Sequence, residues 1–178
     1  MSEFSESYHL KSSNPEEAVA ILRAASRKGF VFPPENGWVT FLAAEGNFEP
    51  DDRIIQANTG HLLHYVFAED HGWSFTFFDQ EKVVLRYSCE WDDEVRFDDS
   101  ECPEQAFRKF IANFGVGPAD EVWSRLHPAD IDEAIEVEVA ILLAEALGLG
   151  HYEWIAYRYM VKDFSKSPEN FPGLLEVS

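Results

Sequence analysis

WSFTFFDQEKVVLRYS, residues 73–88, decides the architecture. Trp73, Phe75 and Phe77 alternate with Ser74 and Thr76, and beyond a turn Val83, Leu85 and Tyr87 alternate with Lys82 and Arg86. Period-two patterning of this kind marks two half-buried strands. The parity of their connection sets the register. A two-residue loop would place Phe75 opposite Arg86. With Asp79-Gln80-Glu81 as a three-residue loop, Trp73 faces Tyr87, Phe75 faces Leu85 and Phe77 faces Val83, while Ser74, Thr76, Lys82 and Arg86 share the other face. The odd loop is therefore the expectation. Together with Leu62 to Ala68 it makes a three-stranded antiparallel meander with one aromatic, buried face and one polar face. That points to α+β layering rather than a doubly wound parallel sheet.

Toward the N-terminus, Phe4, Glu6, Tyr8 and Leu10 alternate with Ser5, Ser7, His9 and Lys11, a first strand with one polar face. Asn14 then caps a helix, Pro15 takes its first position, Glu16 and Glu17 face the positive end of the helix dipole, and Ala18, Ile21, Leu22 and Ala25 keep the helical spacing. Gly29 is its expected stop. After the turn at Pro33-Pro34-Glu-Asn-Gly37, Trp38 to Ala43 is rich in strand formers. The opening is thus β-α-β. A short helix up to Ala57 and a reset at Gly60 lead into the meander.

Toward the C-terminus the chain turns helical. Pro103 starts a helix with Phe107, Phe110, Ile111 and Phe114 on one stripe, and Pro118 to Leu126 forms a short one. A long helix is expected from Asp130-Ile-Asp-Glu133 to about Leu147, ended by Gly148-Leu-Gly150. Tyr152 to Val161, with Ile155, Tyr157, Tyr159 and Val161 on one side, reads as a final strand. The expectation is one α+β domain over residues 1–164 and a loose or docked tail over 165–178.

The chain of 178 residues carries 33 acidic against 14 basic residues, a formal charge of -19 and an isoelectric point near 4.5. Such a field repels nucleic acids and anionic membrane surfaces and attracts cationic partners. Residues 89–138 hold 15 of the acids and 4 of the bases. No basic leader or long apolar run is present, which points to a cytoplasmic protein with no membrane segment. Cys89 and Cys102 make no disulfide framework and are expected as reduced thiols.

The densest acidic stretch is CEWDDEVRFDDSEC, residues 89–102, where Glu90, Asp92, Asp93, Glu94, Asp98, Asp99 and Glu101 are answered by Arg96 alone. An EF-hand beginning at Asp92 fails, because its fifth and sixth positions are Arg96 and Phe97. Carboxylates clustered without cations repel each other, so the arrangement costs stability unless a cation or a basic surface relieves it. Cys102, which Pro103 places at a helix N-cap, sits where the dipole lowers a thiol pKa, but the surrounding acids push it back up, so a plain cap or a buried thiol is expected. His61 and His64 fall on opposite faces of a strand and make no metal pair. On the long helix, Glu138 and Glu145 fall on the apolar stripe, about 10.5 Å apart along the axis, each needing its own partner. A helix apolar nearly all round is either central to the core or half of a homodimer interface. No dinucleotide fingerprint, Walker loop or nucleophile elbow occurs, and no cofactor is implied.

In composition alone the chain is similar to bacterial immunity proteins and other acidic inhibitors of basic nucleases. The reading that follows is a non-enzymatic acidic interaction module for a basic protein, engaged through Glu90, Asp92, Asp93, Glu94, Asp98, Asp99 and Glu101. The alternatives are a hydrolase using a divalent ion among its carboxylates and a small-ligand binder with an aromatic pocket on the sheet.

Overall fold

The computed structural model describes residues 3–136 and 138–178. It is an α+β arrangement around an eight-stranded antiparallel sheet. β1 (Phe4–Lys11) leads to α1 (Pro15–Ala24), β2 (Gly29–Val31) and β3 (Trp38–Ala43). α2 (Asp52–Ala57) precedes a meander of β4 (His61–Ala68), β5 (Gly72–Asp79), β6 (Lys82–Glu90) and β7 (Arg96–Glu101). Then come α3 (Glu104–Phe114), α4 (Ala119–Arg125), α5 (Ile131–Glu136), α6 (Val139–Leu147), α7 (Tyr157–Lys166) and β8 (Leu175–Val177). Across the sheet the order is β7-β6-β5-β4-β1-β3-β2-β8, so the first strand is central.

Each sheet face is covered by different helices. On one, Phe75 packs against Phe107 and Phe110, and Phe77 against Phe110 and Phe114 with ring centroids 4.5 and 4.9 Å apart. Leu143, Ala144 and Leu147 of α6 complete this aromatic core. On the other, Tyr8, Leu10, Val39, Phe41, Leu62 and Phe78 meet Ala18, Val19, Ile21 and Leu22 of α1 and Ile54 and Ile55 of α2. Burying a side chain of the Leu or Phe class stabilises by about 1.5–3 kcal/mol, so these two layers dominate the fold.

The α1 start is as the local chemistry dictates: the Asn14 side chain accepts from the Glu16 N–H at 3.2 Å, with Pro15 next. Its end comes earlier than Gly29, because Ser26 takes a left-handed φ of 55° and the Arg27 N–H bonds back to the Leu22 carbonyl. Gly29 instead opens β2, where its missing side chain makes room for the Leu42 carbonyl and the Leu22 side chain.

Other expectations are corrected. The β5–β6 connection has two residues, Gln80 and Glu81, with Gln80 at φ 55°. The aromatic face survives because the register shifts between the Phe77–Leu85 and Phe78–Val83 pairs, leaving Val84 as an extra residue; Phe75 faces Tyr87 and Trp73 faces Cys89. The long helix is two, α5 and α6, because Glu138 is left-handed at φ 46°. Glu138 and Glu145 are both exposed, off the apolar stripe, while Val139, Ala140, Leu143, Ala144, Ala146 and Leu147 are buried. The apolar helix is thus central to the core. The expected strand at Tyr152–Val161 is absent: Tyr157 to Lys166 is α7, whose Tyr157, Met160 and Phe164 pack at helical spacing on the Phe30, Phe32 and Leu42 cluster. The final strand lies in the tail instead, where β8 pairs with β2. The meander gains a fourth strand, β7, from the acidic segment.

Candidate interaction groove

Because α1 and α2 cover the β1–β3 side and the Leu62 and Phe78 end of β4 and β5, the rest of that face from β4 to β7 is left open. Strand register sets its floor in rows. Arg86 lies opposite Thr76, Thr76 opposite His64 and His64 opposite Tyr8; Ser88 lies between Asp98 and Ser74. The connection between β3 and α2 rises as one wall with Phe48, Glu49 and Pro50, and Phe4 stacks on Phe48 with centroids 6.1 Å apart. His71 and Asp92 line the same space, the His71 ring 6.2 Å from that of Phe4. The groove so formed has a volume of about 660 Å³.

Glu6 fastens that wall to the sheet. Its Oε1 accepts from the Phe48 N–H at 3.2 Å and lies 3.2 Å from Nε2 of the buried His64. Gly46 sits so close to the same carboxylate that a side chain there would collide with it. Glu45 and Phe48 both take left-handed backbone, at φ 66° and 67°, as the wall turns back over the sheet.

The groove's charge is lopsided. Glu49, Glu90, Asp92, Asp98 and Glu101 line it, and Arg86 is the only Lys or Arg among the described lining residues. Arg86 reaches across to Glu49 at 3.2 Å. Asp98 is held below its usual carboxylate pKa by hydrogen bonds from Ser100, its backbone N–H at 2.9 Å among them, with a smaller contribution from Arg86. His71 bonds Asp92 at 2.7 Å, which raises the imidazole pKa.

The seven acids of the 89–102 segment do not form one surface. Glu90, Asp92, Asp98 and Glu101 line the groove. Asp93 and Glu94 are exposed in the hairpin connection, where Glu94 pairs with Arg96 at 2.6 Å. Asp99 belongs to the helical side, 2.9 Å from His127 Nε2. Cys102 is not the cap of α3, a place that Pro103 takes, but is buried, and burial, helped by Asp99, raises its thiol pKa to about 12; Cys89 is buried and raised as well. His61 and His64 do lie on opposite faces: His61 stacks on Phe77, His64 against Tyr8. Among the described residues no group of three or more His, Cys, Asp or Glu is placed to hold a metal ion. Phe75, Phe77 and Trp73 are core, packed under helices or neighbouring rings. The polar floor at Ser74, Thr76 and Arg86 was legible from alternation, but the wall was not; its one local signal is the turn-forming Gly46-Asn47 pair.

A second polar cluster is sealed inside. The polar side of β1 faces the helical layer, and Ser5, Ser7, His9 and Thr40 are buried. His9 shares hydrogen bonds with Ser7 Oγ at 2.8 Å through Nε2 and with Thr40 Oγ1 at 2.9 Å through Nδ1. Burial, with smaller effects from His151 and His64, lowers its pKa to about 3, so the ring is neutral. The paired hydroxyls satisfy a neutral imidazole in the core, and with Ser7 and His9 fully buried the arrangement is structural.

No described helix is long and apolar enough to cross a membrane. Comparison with protein-family models, with curated proteins and with solved structures found no match to this chain.

Proposed function

We propose that this protein is a non-enzymatic interaction module that receives a basic protein partner in the acidic groove over β4 to β7. The observation that carries the reading is the pairing of an open, polar sheet face with five lining carboxylates and a single lining arginine. A cationic surface would relieve the repulsion among those carboxylates, and the chain's overall charge of -19 would steer it in. Two buried free thiols accord with a cytoplasmic setting.

The test compares two variants of equal charge change. Asp92→Asn/Asp98→Asn/Glu101→Gln neutralises the groove; Asp93→Asn/Glu94→Gln/Asp99→Asn neutralises acids of the same segment outside it. Binding of a labelled octa-arginine peptide is followed by fluorescence anisotropy at low and high salt. The groove variant should lose at least about tenfold in affinity and the other about twofold, with wild-type binding weakening steeply as salt screens the charges. Equal losses would refute a groove-centred function, since net charge alone would then account for binding.

A further inference from the structure

The groove already holds one guanidinium. Arg86 rises from its floor in register with Thr76 on β5 and with Glu101 on β7, and its Nη2 lies 3.2 Å from Oε2 of Glu49 on the opposite wall. The pair spans the groove, floor to wall. Both side chains are well exposed, at 48% and 69%, and ion pairs so open to water are worth at most a few-fold in equilibrium terms. The contact is therefore weak enough to be exchanged. A guanidinium also rests on the aromatic end of the same wall, where Arg158 lies 5.5 Å over the Phe4 ring that stacks on Phe48.

We infer that Arg86 is an internal stand-in for the partner's cation, paired with Glu49 in the free protein and exchanged for a basic side chain of the partner on docking. The inference rests on the function proposed above and adds a direction to it. In the free protein Arg86 neutralises part of the groove, so the partner must compete with it. Asp98, which feels the Arg86 charge, gains the same relief from an incoming cation. The opposite role would be an anchor for an acidic ligand, and it predicts the opposite response to losing the guanidinium.

The experiment uses the full chain and the octa-arginine probe at low salt, with Arg86→Gln beside Arg96→Gln. The second removes the same unit charge from the same hairpin, but Arg96 is outside the groove and paired with Glu94. Circular dichroism and thermal melts check that both variants keep the fold. Arg86→Gln should bind the probe about three- to fivefold more tightly than wild type, with Arg96→Gln within about twofold of it. Equal tightening by both variants would overturn the inference, because net charge would suffice. Weaker binding by Arg86→Gln would overturn it too, by making Arg86 an anchor. In both cases wild-type binding leaves the proposed function standing, whereas a probe bound by none of the forms would overturn function and inference together.

Discussion

Replacing His9 with Gln is expected to make stability less sensitive to mild acid. His9 has no exposed surface, and both ring nitrogens are engaged by the Ser7 and Thr40 hydroxyls. Its folded pKa is lowered to about 3 from the ordinary value of 6.5 that the unfolded chain restores. Above pH 6.5 the ring is neutral in both states and contributes no pH dependence. Below it the unfolded chain takes up a proton that the folded one refuses, so stability falls by about 1.4 kcal/mol per pH unit until the folded ring titrates near pH 3. By pH 5 the loss is about 2 kcal/mol. Gln cannot titrate, and its amide can still meet a hydroxyl. His9→Gln starts about 1–3 kcal/mol less stable at pH 7.5, from imperfect hydrogen bonding. The gap to wild type should then narrow by about 2 kcal/mol at pH 5.0, because every carboxylate is common to both proteins. Urea unfolding followed by tryptophan fluorescence at the two pH values measures this. A gap that stays constant or widens would refute a buried, neutral His9.

Three further outcomes follow from packing. Cys89 and Cys102 should resist a thiol reagent at pH 8 in the folded protein and both react once urea unfolds it, since burial raises both thiols; rapid native labelling would contradict their placement. Gly29→Ala should lose about 2 kcal/mol in urea unfolding, because its methyl would press on the Leu42 carbonyl and on Leu22 Cδ1 at 2.7 Å. Trp38→Phe should lose about 1–3 kcal/mol, since the indole N–H donates to the Leu147 carbonyl at 2.9 Å and the buried acceptor would be left unpaired; a neutral substitution would mean that bond does not matter.

What the sequence makes legible is what local chemistry decides. The Asn14-Pro15 helix start depends on neighbours in the chain and reads correctly. The aromatic side of the meander also reads correctly, yet its register does not. A left-handed Gln80 shortens the turn by one residue and Val84 restores the parity, two changes that cancel in the pattern. β7 is invisible to alternation because Asp98, Asp99, Ser100 and Glu101 are poor strand formers. What makes them a strand is the edge of β6 beside them. α7 is misread for the converse reason: its tyrosines alternate, but the helical spacing of Tyr157, Met160 and Phe164 is what Phe30 and Phe32 reward. The groove is half legible. Its floor follows from alternation, while its wall depends on Glu6 holding the Phe48 backbone, 42 residues away in sequence.

The two margins of the sheet are protected by unlike means. The β7 margin carries Arg96, Asp98, Asp99 and Glu101, and charge deters another strand from pairing there. The β2 margin, Gly29-Phe30-Val31, is wholly apolar and is covered by three residues, Leu175 to Val177. β2 precedes its cover by the whole of the intervening fold, so a nascent chain carries an uncapped, sticky margin until Leu175 to Val177 has been made. Vectorial synthesis thus leaves this protein's hazard of misassociation on one side of the sheet, and the pairing of β8 with β2 removes it.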